Sequence, residues 1–218
     1  MEYEVYDKIF FNDADKQIQD DLKQNNARPK FYAFLFDTNQ SFFSEIERIN
    51  NNQNNSSISM SMSTIDNNIY IDYQSKEFKI EGNYANKKFL VKDNLPQYNW
   101  IIQREKKEIS GIKVTKATLN YENTDIEAWF ASDIQPKGGP VYFNGLPGLI
   151  LELKSYTKLE GERYETTFTL IKIDKASQNE KIVVPSKGTV MTEKEKMEFI
   201  KEANKKMMET YQNKVDKD

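Results

Sequence analysis

Apolar residues return at every second position through most of this chain, and a period of two predicts strands rather than helices. Glu2 to Phe11 is the first such segment, with the β-favouring Tyr3, Val5, Ile9 and Phe10. Strands are expected next at Lys30 to Asp37, Ser41 to Ile49, Asn68 to Tyr73, Glu77 to Glu81 and Lys87 to Lys92. A later group covers Tyr98 to Arg104, Ile109 to Tyr121, Asp125 to Ala131, Leu149 to Tyr156 and Arg163 to Ile173. Ser57 to Ser63 alternates most strictly, with Ile58, Met60 and Met62 on one face and serines on the other. Two stretches depart from this period. From Asn12, a helix is expected to about Asn25, with Ala14, Ile18 and Leu22 at four-residue steps. Thr192 opens a second, with Glu195 completing a capping box and Met197, Ile200, Ala203, Met207 and Tyr211 as its apolar stripe. The expected fold is α+β, mainly antiparallel β: a curved meander sheet with a short N-terminal helix and a C-terminal helix packed on it.

The 218 residues suit one domain. Asparagine-rich residues 50–57 read as a mobile loop, and residues 213–218 as a disordered tail. Basic and acidic residues, 31 and 34, are mixed along the chain. That leaves no one-sided positive field, so nucleic acid is not an expected partner. No segment approaches the roughly 20 apolar residues that span a bilayer as a helix. The sequence has neither cysteine nor histidine. Thiolate nucleophiles, histidine-based triads and the common zinc sites are thereby excluded. No cofactor is expected. Met60 and Met62 alone are a poor Cu(I) site, and Asp133 with Glu152 lacks the ligand density of a calcium loop.

Special backbone chemistry is concentrated in Gly138 to Leu153, GGPVYFNGLPGLILEL, which holds half of the eight glycines and two of the six prolines. In Leu146-Pro147-Gly148-Leu149 the proline presets φ at the second turn position, and Gly148 is expected at positive φ in a type II turn. Gly139, Pro140 and Gly145 belong to the same turn-rich motif.

The string GLPGLILEL, with Gly139-Pro140 and Ala128-Trp129-Phe130 before it, resembles the signature of the GLPGLI family of exported bacterial proteins. The likeness extends over Lys88-Phe89-Leu90-Val91-Lys92-Asp93, Trp100, Ile109-Ser110-Gly111 and Lys116-Ala117-Thr118. Many members carry a cysteine where this chain has Val114. The resemblance implies a periplasmic or secreted protein, made with a signal peptide that is not in this sequence. It implies no reaction.

Two sets of residues are candidates for function. Glu127 and Trp129 share a strand face, as do Ile150 and Glu152; if those strands are neighbours, two carboxylates meet beside an indole. That arrangement grips a ligand, or serves as acid and base of a carboxylate hydrolase with Lys113 or Asp133 nearby. The plainer reading is a pair of solvent-facing glutamates. Tyr142, Phe143 and Leu146 ride on the glycine-proline loop and offer an aromatic surface to an envelope protein, unless turn geometry is the loop's whole purpose. The functional expectation is a non-catalytic binding or interaction domain. The alternative is a carrier holding a lipid or other apolar ligand in the concavity of the sheet.

Overall fold

The computed structural model describes residues 1–12, 19, 20, 22, 23, 26–46, 66–159, 161–176 and 180–215, the last nine by backbone alone. Met60 and Met62, the asparagine-rich stretch and residues 216–218 lie outside that set.

The strands are β1 (Glu2–Phe11), β2 (Lys30–Phe36), β3 (Gln40–Glu45), β4 (Ile69–Asp72), β5 (Glu77–Tyr84) and β6 (Lys87–Asn94). They are followed by β7 (Ile101–Ile109), β8 (Ile112–Tyr121), β9 (Thr124–Ala131), β10 (Leu149–Leu159), β11 (Glu162–Lys172) and β12 (Thr189–Met191). One helix is described, α1 (Glu193–Val215). All strands join one sheet in the order β12-β6-β5-β4-β3-β2-β1-β11-β10-β9-β8-β7.

This corrects the expected α+β class. The fold is mainly β, a single 12-stranded mixed sheet, and the one helix among the described elements is C-terminal. No N-terminal helix is among the described elements; much of the segment expected to form it lies outside the described residues. Nor is the sheet one meander. Two antiparallel meanders, β1 to β6 and β7 to β11, are joined where β1 pairs with β11, Val5 opposite Phe168. The sheet is mixed because β12 runs parallel to β6, Val190 beside Leu90. The physical reason is that a curled sheet covers its own apolar face: its two walls and the loop between them bury one another's side chains, so the core does not depend on helices.

The connection from β6 to β7 shows that the sheet is curled. Six residues, 95–100, join strands that stand ten places apart in the sheet order. Strands about 4.8 Å apart would put them roughly 48 Å apart in a flat sheet. The chain from Asn94 to Ile101 reaches at most about 25 Å at ~3.5 Å per residue. The two walls must therefore face each other across a concavity.

Alternate residues line that concavity: Tyr3 and Val5 from β1, Phe34 from β2, Ile80 from β5, Ala128 and Phe130 from β9, and Leu151 and Leu153 from β10 are all buried. Helix α1 packs beside β6, with Phe199 edge-on to Tyr84. Its capping box forms as expected: the Thr192 amide donates to Glu195 at 2.7 Å, and the Glu195 amide donates to the Thr192 hydroxyl at 3.2 Å.

Candidate functional site

Strands β9 and β10 are neighbours, as the carboxylate reading required, but the two glutamates do not face each other. Glu152 pairs across the ladder with Trp129, and Glu127 with Lys154. Each carboxylate is held by lysine instead. Lys116 approaches Glu127 at 3.0 Å, while Lys107 and Lys154 approach Glu152 at 2.9 and 3.3 Å. The Trp129 indole donates to Glu127 at 3.0 Å, and the Lys107 ammonium lies 4.3 Å from its ring centroid. Indole and ammonium groups thus form a plate over one face of β7 to β10. Burial pushes the Glu127 carboxyl up, but its hydrogen bonds from Lys116 and Trp129 outweigh that and hold it below the ordinary carboxylate range. A proton donor or base working near neutrality needs the opposite shift. Asp133 is exposed, bonded only weakly to Ser132 at 3.4 Å, and is not part of this plate. Lys113 sits opposite Glu108 on the outer strand pair.

The glycine-proline loop, between β9 and β10, does not project. It folds back between the two walls of the sheet. On one side Tyr142 stacks on Phe78 of β5, with ring centroids 5.3 Å apart. On the other, Phe143 stacks on Tyr98, which meets Tyr121 of β8 edge-on. Leu146 is fully buried. Burial raises the hydroxyl pKa values of Tyr142 and Tyr98 above the ordinary tyrosine value, and that of Tyr73 to about 12. The concavity that an apolar ligand would have occupied is filled by this loop.

Close approach explains Gly138, Gly139 and Gly148, and positive φ explains Gly145. A Cβ on Gly139 would stand 2.6 Å from the Ile150 side chain, and one on Gly138 would stand 2.6 Å from the Tyr73 hydroxyl. The Ile150 amide donates to the Gly138 carbonyl at 2.8 Å, which fastens the loop to the start of β10. The type II turn expected at Gly148 is not found. Gly148 is not among the residues at positive φ; in this loop those are Val141, at 59°, and Gly145, at 89°. Gly148 is needed because a Cβ there would lie 2.0 Å from the carbonyl oxygen of Ala131.

The loop also grips the β6–β7 crossover. The Trp100 indole donates to the Asn144 carbonyl at 2.8 Å. The Asn144 amide in turn donates to the carbonyls of Pro96 and Tyr142 at 3.2 and 3.0 Å. Outside this clasp, crossover and loop border a groove of about 860 Å³. Tyr98, Pro96 and Pro136 give it ring faces, and Asn94, Gln97 and Gln135 give it amides. Thr38 and Ser75 add hydroxyls, while Lys76 and Lys137 add the charge. No carboxylate is among the described lining residues. The side chains of Asn94, Gln97, Gln135, Lys76 and Lys137 make no hydrogen bond or ion pair with any described residue.

Sequence reasoning singled out none of these groove residues. The available signal was a pair of proline-containing polar stretches, Asn94-Leu95-Pro96-Gln97 and Gln135-Pro136-Lys137, whose proximity depends on the curl of the sheet. No group of three or more acidic side chains with metal-site geometry occurs among the described residues. No helix among them is long and apolar enough to cross a membrane.

A family model described as a protein of unknown function (Porph_ging) matches residues 72–152. The match runs from the end of β4 into β10 and includes the crossover, the indole plate and the loop. It supports kinship with a family of unknown function, without confirming the GLPGLI name. No curated protein matches the sequence. Two crystal structures of PNGF-II, in C2 and P21 space groups, superpose on 93% of this chain with TM-scores of 0.55 and 0.54, each at 16% identity. This chain covers 33% and 34% of those chains, about a third of their length. At that identity the likeness is one of fold.

Proposed function

We propose that this chain is an exported cell-envelope domain that binds a ligand without transforming it, and that recognition takes place in the groove between the crossover and the glycine-proline loop. The observation that carries this is the set of polar groove side chains without partners among the described residues, beside a clasp that fixes the groove's walls. Uncommitted donors and acceptors on a rigid frame suit binding. The best acid–base team, Glu127 and Glu152, is committed to lysine, and neither histidine nor cysteine exists to replace it. A lipid carrier is less well supported, because the loop occupies the concavity. Export rests on the resemblance to the GLPGLI family.

The test is an array of saccharides, peptides and lipids probed with the purified chain and with a Gln97→Ala, Gln135→Ala variant. Binding that is lost in the variant supports the reading. Binding unaffected by it, or turnover of the bound ligand, contradicts it.

A further inference from the structure

We propose that the groove takes an acidic saccharide, a short run of hydroxyl-bearing rings carrying carboxylates. This inference rests on the groove being the binding surface. The lining excludes other classes by its chemistry. An extended peptide gains its affinity from a free strand edge or from apolar side-chain pockets. This groove lies at the ends of β4 and β5, which are interior strands with both edges already paired. Its apolar surface consists of rings and Leu95. An acyl chain would leave the amides of Asn94, Gln97 and Gln135 and the ammonium groups of Lys76 and Lys137 without partners along its length.

A hydroxyl-rich ligand needs groups that donate and accept over a broad surface. The primary amides of Asn94, Gln97 and Gln135 do both, and none of the three is bonded to a described residue. Tyr98 lines the groove with a ring fixed by stacking on Phe143 and edge contact with Tyr121, an aromatic wall of the kind that suits the C–H groups of a sugar ring. Charge then decides between neutral and acidic ligands. Lys76 and Lys137 reach the groove from different elements, one from the β4–β5 turn and the other from the loop after β9. Neither is neutralised by a described residue, and no described carboxylate lines the site. A ligand carrying carboxylates along its length would meet these cations without displacing a described partner.

The experiment is isothermal titration of the chain with a galacturonate tetramer, a galactose tetramer and tetraglutamate, repeated on a Lys76→Gln, Lys137→Gln variant. Both lysines are exposed, so the variant is expected to fold normally. The uronate oligomer should bind wild type most tightly. The variant should lose about three- to tenfold of that affinity, the worth of two exposed ion pairs, and leave the neutral oligomer unchanged. Equal affinity for the two sugars, tighter binding of tetraglutamate, or an unaffected variant would overturn the proposal. If no sugar binds but an array ligand depends on Gln97 and Gln135, the saccharide assignment fails and the groove reading survives. If no ligand of any class depends on those residues, both fail.

Discussion

The indole of Trp100 and the backbone carbonyl of Asn144, 44 positions apart, meet in a 2.8 Å hydrogen bond. Trp100 ends the crossover between the walls of the sheet, and Asn144 lies within the loop that fills the space between them. The amide of Asn144 extends the tie to Pro96 and Tyr142. Three bonds converge where a short connection has to hold two distant strands together, so this point should be sensitive to mutation.

Replacing Asn144 by alanine removes two donated bonds and leaves two partly buried carbonyls to find other partners. Each loss costs about 1 kcal/mol, more where the partner stays dry. A drop in melting temperature of roughly 4–8 °C is expected for a domain of this size. Thermal unfolding followed by circular dichroism measures it. A change below a degree would mean that the Asn144 side chain adds nothing to the hold provided by the Trp100 bond and ring packing.

Lys196 is buried to 3% side-chain exposure and sits between Asp66, at 2.9 Å, and Glu193, at 2.7 Å. Lys196→Met should be destabilising towards the lower end of the ~3–5 kcal/mol typical of a broken buried pair, because both carboxylates keep some contact with water. Burial lowers the pKa of Lys196, but Asp66 and Glu193 outweigh that and raise it. Its contribution is therefore complete below the ordinary lysine pKa and is lost as pH rises through the folded value. Burial raises the pKa of Glu193, helped by nearby Asp66 and Asp93 against the pull of Lys196. That residue therefore costs stability once pH exceeds the ordinary carboxylate value. Chemical denaturation of wild type and variant from pH 4 to 11 should show their difference shrinking at the alkaline end; a constant difference would contradict the pairing.

Much of the sheet was legible because buried strand faces impose a period of two. The expected first strand, Glu2 to Phe11, has the observed bounds of β1, and the C-terminal helix begins at its capping box. The reading failed where that constraint lapses. Edge strand β7 exposes both faces over much of its length, so Glu105-Lys106-Lys107-Glu108 looked like a break, although it is continuous strand. The three residues of β12 are too few to show a period. Sheet order, and with it the groove, arises from pairing between segments far apart in the chain, which local pattern does not encode. The motif was recognised as special, but Gly148 serves close approach to Ala131 and not a turn at positive φ.

Glu127 offers a test of the indole plate. Its lowered carboxyl pKa means that folding favours the charged form, so its contribution is present above the unfolded carboxyl value and is lost as pH falls through the folded one. Glu127→Gln should cost about 0.5–1 kcal/mol at neutral pH, the range for a partly exposed pair. The cost should vanish in acid. Urea titrations at pH 7 and pH 3 test this, and an equal difference at both would remove Glu127 from the acid response.

The central claim is that the glycine-proline loop is locked into the sheet by contacts too close for a side chain, and the most direct measurement compares Gly148→Ala with Gly161→Ala in thermal unfolding. Gly161 lies in the β10–β11 hairpin at φ 78°, with open space around its Cβ position. Alanine there should cost on the order of 1 kcal/mol, for backbone conformation alone. At Gly148 the new methyl would stand 2.0 Å from the Ala131 carbonyl oxygen, and neither backbone can yield without moving the start of β10. The account predicts that Gly148→Ala lowers the melting temperature at least twice as far as Gly161→Ala. Equal losses at the two positions would contradict it.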